Sequence, residues 1–461
     1  MAIVAPFKGL RFNPEKIHNL EEVVTPPYDV ISEEDGARFL EKNIYNMIQL
    51  DLRNTSQDFS GDEDRYRRAR ALFEQWMDRG ILVRDDQPAM HLYSITYTHP
   101  SGRRLTRNGF ICLVELAEFS AGIVKPHEKT FPSVVVDRMR LMDECRAQFS
   151  KVFSIYKDSD QTVITTLTRA REPDPLCSIK DHLGNTHALW RVTDRRAIDT
   201  IVRFFAGQPV YIADGHHRYT TALEYRKNVL RKNPSLPPDS PYNFIMMYLC
   251  AAEDEGLSIL PTHRLLDFPG QLSADGCTAR MRGALNIEEI FGASREGLIA
   301  EALARMNEWR MTSSEPVFGL YHAGEDRCFL LTLKESRERY PALARIGEVL
   351  RNLDVVVLSE LLVHELLGID HQRIIDEKLM GYFSDPDEAL DVAVKKSIDD
   401  DRSTPLLLLL YPTPVHQVTD VADSGEFMPH KSTYFFPKIL TGLMINRLVA
   451  DERIYLAGRG G

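Results

Sequence analysis

The chain reads as a mixed α/β (α+β) protein of more than one lobe, and three observations predict this. Over residues 209–222, PVYIADGHHRYTTA, a short apolar run passes through a glycine and a polar cluster directly into helical spacing. Hairpin signals recur at Pro100-Ser101-Gly102 and at Gly184-Asn185, each between strand-like stretches. From about residue 268 onward, helical and strand-like segments alternate. At 461 residues the chain exceeds one ordinary core, so two or three domains or lobes are expected. The division expected is a core with an inserted hairpin region over 1–265 and a C-terminal α/β lobe over 266–461 that contributes to the same pocket.

Hydrophobic content of 43% and charged content of 27% are those of a soluble globular protein. A net charge of −11 argues against a general nucleic-acid binder, which needs a basic footprint, while leaving room for a local basic pocket. The six cysteines are scattered without a CxxC pair, so neither a zinc knuckle nor a disulfide framework is expected. The opening MAIVAPFKGLRF is too short an apolar run for a secretory signal, and no later run reaches the length of a membrane span. A cytoplasmic protein with no membrane partner is expected.

Taken in order, residues 23–32 hold Pro26-Pro27, which force an extended or turning path. Asp29 after that corner reads either as part of a ligand loop or, with Ser32, as a cap for a helix over 33–42. Residues 62–79 have an amphipathic pattern with Tyr66, Phe73 and Trp76 on one face. Two strands are expected within 90–116. Then Lys125-Pro126-His127-Glu128-Lys129-Thr130 forms a loop, because Pro126 blocks a helix, and helical spacing follows over 137–149. His, Glu and two Lys on one loop suit acid/base chemistry and phosphate contact, or simply a solvated loop.

A helix over 194–205 leads into the central stretch, where the sequence is chemically densest. A strand, then Gly215, then a helix start presents backbone N–H groups and a positive dipole end to an anion. Arg218 adds a planar fork matched to phosphate, and His216 and His217 add hydrogen bonding or proton transfer. Asp214 alone would serve as a helix cap, but the cap does not explain the two histidines and the arginine beside it. Farther on come a buried strand over 242–251, then Thr262-His263-Arg264 after a Pro corner. Next are a helix over 298–309, strands within 316–333 turning at Gly324-Glu325-Asp326, a helix over 355–367 and a buried strand over 405–411. Val363-His364-Glu365 lacks a second His one turn later, since Gly368 stands there, so no zinc site is expected. Residues 428–438, MPHKSTYFFPK, bring Lys431, Ser432, Thr433 and Lys438, a cation and hydroxyl set suited to phosphate or carboxylate. The P-loop and the dinucleotide glycine pattern are absent.

TPPYDVIS at 25–32, ADGHHR at 213–218 and MPHKSTYFFPK together resemble the bacterial family catalogued as domain of unknown function 1015. KPHEKT and LPTHR are similar to recurrent segments of that family, and the resemblance spans nearly the whole chain. More distantly, DGHHR before a helix resembles the ParB/sulfiredoxin-like nucleotide-binding fold, and within it the archaeal free serine kinase. That resemblance implies a ParB-like core in the N-terminal half and makes Asp214, Gly215, His216, His217 and Arg218 the phosphate-handling site. Sulfiredoxin carries its reactive Cys after the Gly, where this chain has His216, which disfavours sulfinic acid repair. The serine kinase uses a Glu soon after its first strand as base. Here a long insertion intervenes, leaving the base open among Asp29, Glu33, Glu34 and Glu128.

The expected activity is phosphotransfer between a nucleotide (ATP or ADP) or pyrophosphate and a small hydroxyl substrate, serine or phosphoserine being favoured. Arg218, Lys129, Lys431 and Lys438 would be the cations, Glu128 or Asp29 the base, and a His the acid or phosphate contact. Mg²⁺ would be held by the phosphates and Asp214. His127, His263, Arg264, Ser432 and Thr433 would line the same pocket. The alternatives are a phosphomonoesterase with a histidine nucleophile or acid, and a non-catalytic nucleotide-binding regulator like ParB.

Overall fold

A computed structural model describes residues 1–51, 64–399 and 402–456. The chain forms two compact units, one of residues 1–258 together with 437–461, the other of residues 259–436. Residues 437–456 thus belong with the N-terminal unit, whereas the sequence pattern assigned them to the second lobe.

The first unit is built on a nine-stranded mixed sheet. Its strands are β1 (Val4–Ala5), β2 (Met90–Thr98), β3 (Arg104–Glu115), β4 (Val124–Lys125), β5 (Val152–Tyr156), β6 (Cys177–Lys180), β7 (Thr186–Val192), β8 (Val210–Asp214) and β9 (Phe244–Ala251). The order is β4-β8-β5-β9-β3-β2-β7-β6, with β1 pairing β3. Both expected hairpins form, β2–β3 and β6–β7, with Gly102 and Gly184 at φ +81° in their turns. The β4/β8 and β5/β9 pairs are parallel and need longer crossovers. Helices α1 (Pro132–Cys145), α2 (Thr162–Ala170), α3 (Arg195–Phe205) and α4 (His216–Lys232) supply them.

Helices α2, α3 and α4 cover one face of this sheet. Val163, Leu167, Ile201, Phe205, Tyr219 and Leu223 pack there against Phe110, Val152, Val210, Ile212 and Met247. The opposite face is more polar: Arg107 is fully buried between the rings of Phe153 and Tyr248. The C-terminal segment crosses that face and supplies acceptors. The Pro437 carbonyl accepts from Arg107 at 2.8 Å, and the Leu440 carbonyl accepts from Lys151 Nζ at 2.9 Å. A buried cation needs such partners, so the segment is bound to the face by hydrogen bonding as well as packing.

Local expectations are met with shifted ends. Ser32 caps Glu33–Lys42 by accepting the Asp35 N–H at 3.0 Å, and Asp194 caps α3 through the Ala197 N–H at 2.7 Å. The amphipathic pattern over 62–79 becomes the helix Asp64–Asp78, with residues 62 and 63 outside the described residues. The helix expected over 137–149 begins earlier, with Pro132 in its first turn, and stops at Cys145. There Arg146 turns left-handed at φ +47° and Ala147–Gln148 pair as a strand instead.

The second unit has a six-stranded sheet in which every neighbouring pair is antiparallel. The expected strands and their turn appear as Val317–His322 and Arg327–Leu333, with Asp326 at φ +52°, and the buried strand as Ser403–Leu409. Helices Arg295–Thr312 and Pro386–Asp399 pack on it through Leu298, Ile299, Ala302, Ala389 and Ala393. The helix expected over 355–367 is π-wound over Val357–Leu366. Among the described residues no helix is long and apolar enough to cross a membrane.

Candidate functional site

Strand β8 would carry Val210, Ile212 and Asp214 on one face, and that face is the apolar one. A β-bulge intervenes. Ile212 pairs with Ser154, but Asp214 pairs with Phe153, so the register slips by one residue between them. A one-residue slip moves a side chain to the other face, which takes Asp214 out of the apolar core and onto the polar side of the sheet. Gly215 follows at φ +95°, a conformation that favours glycine, and α4 begins at once. A Cβ on Gly215 would also lie 3.0 Å from the Arg218 guanidinium, so the turn and the packing demand glycine independently.

Around this corner the charges are paired. Arg218 lies 2.5 Å from one Asp214 oxygen and Lys438 Nζ lies 2.5 Å from the other. Arg218 also donates to the Lys151 carbonyl and stands 3.9 Å from Asp29. Burial alone would lower the pKa of Arg218, but Asp29 and Asp214 more than offset it and the net shift is upward. The fork expected to await phosphate is therefore occupied by a carboxylate and a backbone carbonyl. Residues 25–31 lie beside 214–218: the Tyr28–Val30 turn brings Asp29 to Arg218, while Ser32 serves as the helix cap. The cap reading of that stretch holds, through Ser32 rather than Asp29.

The KPHEKT loop arrives through β4, the parallel neighbour of β8. His127 is buried, Glu128 is partly buried and Lys129 is exposed. A Glu128 oxygen lies 3.7 Å from His216 Nδ1. His216 is 3% exposed, and burial first, then His127, push its pKa down to about 3, so it is neutral at ordinary pH. His217 is half-buried and stacks on Phe131.

Residues 4–356 match the model of the family described as "Protein of unknown function (DUF1015)". The chain belongs to this family. The matched residues include TPPYDVIS, KPHEKT, ADGHHR and LPTHR, and end before MPHKSTYFFPK. No curated protein matches the chain. Among solved structures, a free serine kinase in complex with AMP aligns over 72% of this chain and 92% of its own, at 12% identity and a TM-score of 0.32. A conserved hypothetical protein from Pyrococcus furiosus aligns over 73% and 95%, at 12% identity and a TM-score of 0.33. The C-terminally truncated SbnI from Staphylococcus aureus aligns over 74% and 90%, at 10% identity and a TM-score of 0.31. Likeness at this level carries no argument about activity.

In this DUF1015 protein the remaining predicted residues fall in the second unit. His263 is buried and accepts the Leu410 N–H at 3.1 Å on Nδ1; burial first, then Arg264, lower its pKa to about 4. Arg264 donates to the Lys431 carbonyl at 2.9 Å and covers the Tyr382 ring at 4.4 Å. Lys431 is exposed at φ +57°, Ser432 donates to the Pro429 carbonyl at 2.6 Å, and Thr433 is half-buried. PTHR and HKST therefore meet each other within that unit.

The expected magnesium ion on Asp214 does not fit this donor set. Each Asp214 oxygen already faces a cation. A ligand oxygen for Mg²⁺ must be turned toward the ion, and here both are turned toward positive charge.

Sequence reading missed the residues behind the site. A cavity of about 40 Å³ is lined by Tyr28, Asp51, Arg138, Ser150, Arg218 and Thr221 among others. Arg138 caps the Tyr28 ring at 4.2 Å and donates to the Asp51 carbonyl at 2.5 Å. Lys151 is 2% exposed, and burial first, then Arg218, bring its pKa down to about 7. The available signal was its setting: Lys151 stands between Phe149 and Val152-Phe153, inside a run that reads as a buried strand.

Proposed function

We propose that the first unit, with a ParB-like core, binds phosphate at the start of α4. There it transfers a phosphoryl group between a nucleotide, ADP or ATP, and a small hydroxyl compound, free serine being favoured. The observation that carries this reading is the Asp214 carboxylate held between Arg218 and Lys438, 2.5 Å from each, beside a glycine at a helix start. A phosphate brings more charge and more acceptor oxygens than one carboxylate. It therefore competes for both cations and gains the backbone N–H groups of the first turn. Glu128 is the proposed base, because a carboxylate on a loop fixed beside the helix start can reach a hydroxyl presented there. The likeness of DGHHR to the serine kinase loop supports the substrate class.

The test is calorimetric titration of the full chain with ADP, pyrophosphate and phosphoserine, with and without magnesium, followed by ³¹P NMR of ADP with phosphoserine and of ATP with serine. Binding together with transfer of the phosphoryl signal is expected. Failure of all three compounds to bind sinks the reading.

A further inference from the structure

Both histidines of the central stretch are tied to the loop that carries Glu128. Nε2 of His216 accepts the His127 backbone N–H at 3.2 Å, and Nε2 of His217 accepts the Phe131 backbone N–H at 2.9 Å. Glu128 and Lys129 lie between these two attachment points. The rings reinforce them: His127 meets His216 edge-on with centroids 4.6 Å apart, and Phe131 stacks on His217 at 5.7 Å and 15°. A backbone N–H can only donate, so each Nε2 offers its lone pair, and in the neutral ring the proton sits on Nδ1. That proton-bearing nitrogen of His216 is the one facing Glu128 at 3.7 Å.

We propose that His216 and His217 are positioning residues, a two-point clamp that fixes the 127–131 loop on the first turn of α4 and so holds Glu128 in place. What Glu128 is held toward rests on the phosphotransfer reading; the clamp itself does not. The assignment also removes the histidine nucleophile that a phosphomonoesterase would use. Attack on phosphorus needs a free ring lone pair, and on both rings the lone pair at Nε2 is engaged while Nδ1 is protonated. The neutral state of His216 agrees with this, since a ring that resists protonation makes a poor general acid near neutral pH.

Glutamine separates clamp from chemistry. Its side-chain oxygen reaches about as far as Nε2 and accepts the same N–H, but it can neither attack phosphorus nor shuttle a proton. The experiment compares full-length wild type with His216→Ala, His216→Gln, His217→Ala and His217→Gln. Amide hydrogen exchange at His127 and Phe131 is read by NMR beside kcat and KM. Each alanine variant is expected to lose protection at its own amide, on the order of tenfold or more. Its kcat should fall on the order of 100-fold, as for a misplaced catalytic group, with the nucleotide KM little changed. Each glutamine variant should recover both readings. Alanine variants with wild-type amide protection would overturn the clamp. Glutamine variants that keep amide protection yet are as inactive as alanine would make the histidines chemical participants. Should an alanine variant fail to fold, the glutamine variant alone decides between these outcomes. A wild type that transfers no phosphoryl group would defeat the functional reading, and the exchange data would still decide the clamp.

Discussion

Lys438 Nζ lies 2.5 Å from the Asp214 carboxylate although 224 residues separate the two in the chain. With Arg218 on the other oxygen, this is the arrangement that a phosphate would have to displace under the proposed function. Asp214→Asn keeps the shape and removes the charge, so two effects of opposite sign are expected. Stability should fall by about 2 kcal/mol, because two largely buried cations lose their ionised acceptor. Pyrophosphate affinity, measured without metal, should rise, because the internal competitor is weakened. Melts and titrations on the same samples check both. Weaker pyrophosphate binding would mean that Asp214 itself helps to hold the ligand.

Gly215→Ala strains the corner twice, through φ +95° and through a Cβ placed 3.0 Å from the Arg218 guanidinium. A left-handed non-glycine residue costs roughly 1–2 kcal/mol, and the close Cβ contact pushes the guanidinium by a few tenths of an ångström. Urea unfolding should show that loss, and phosphate binding should weaken more than stability alone accounts for. An alanine variant with wild-type midpoint and affinity would show that the corner relaxes freely.

Lys151 sets a pH dependence of known sign. Its pKa is about 7 when folded against the ordinary lysine value of 10.5, lowered by burial and by Arg218, with Asp51 opposing. Between these values the unfolded chain holds a proton that the folded chain has released, so stability rises with pH across this window. The slope approaches about 1.4 kcal/mol per unit. Below pH 7 both states are protonated and the full cost of the buried cation is present. Lys151→Met should raise stability at pH 7 and remove this contribution between pH 7 and 9. Urea midpoints at pH 7, 8 and 9 test it, and identical slopes for the two proteins would assign the dependence elsewhere.

Features set by neighbours in sequence could be read before the structure. Gly102 and Gly184 in their hairpins, Ser32 and Asp194 as caps, and Gly215 between strand and helix each act over a few residues, where turn chemistry and side-chain period are decisive. The approach of residues 25–31 to 214–218 leaves no local signature, because the two stretches are far apart in the chain. Strand order in a nine-stranded mixed sheet was hidden, because pairing depends on long crossovers that leave no local signature. The bulge before Asp214 was hidden for the same reason: its register exists only relative to β5. The contacts of the histidines were hidden in a different way. Their acceptor duty toward His127 and Phe131 depends on backbone N–H groups, which the one-letter sequence does not display.

Glu128 and Asp29 are two of the four carboxylates from which a base can be drawn, and their surroundings set them apart. Asp29 stands 3.9 Å from Arg218, which makes it part of the cation-holding set. Glu128 lies on the clamped loop, its side chain 25% exposed, with a neutral imidazole 3.7 Å away. Asp29 is thus engaged with a cation that holds the corner together, while Glu128 faces an uncharged ring and is placed to act on a hydroxyl. Glu128→Gln should therefore lower kcat by roughly 10²–10⁴-fold, the range for loss of a general base, with ADP affinity nearly unchanged. Asp29→Asn should weaken phosphate binding or stability through Arg218 while keeping most of the turnover per bound substrate. Single-turnover ³¹P measurements with serine and saturating ATP separate binding from chemistry. Full turnover in Glu128→Gln with its loss in Asp29→Asn would transfer the role of base to Asp29 and leave the clamped loop a part in binding alone.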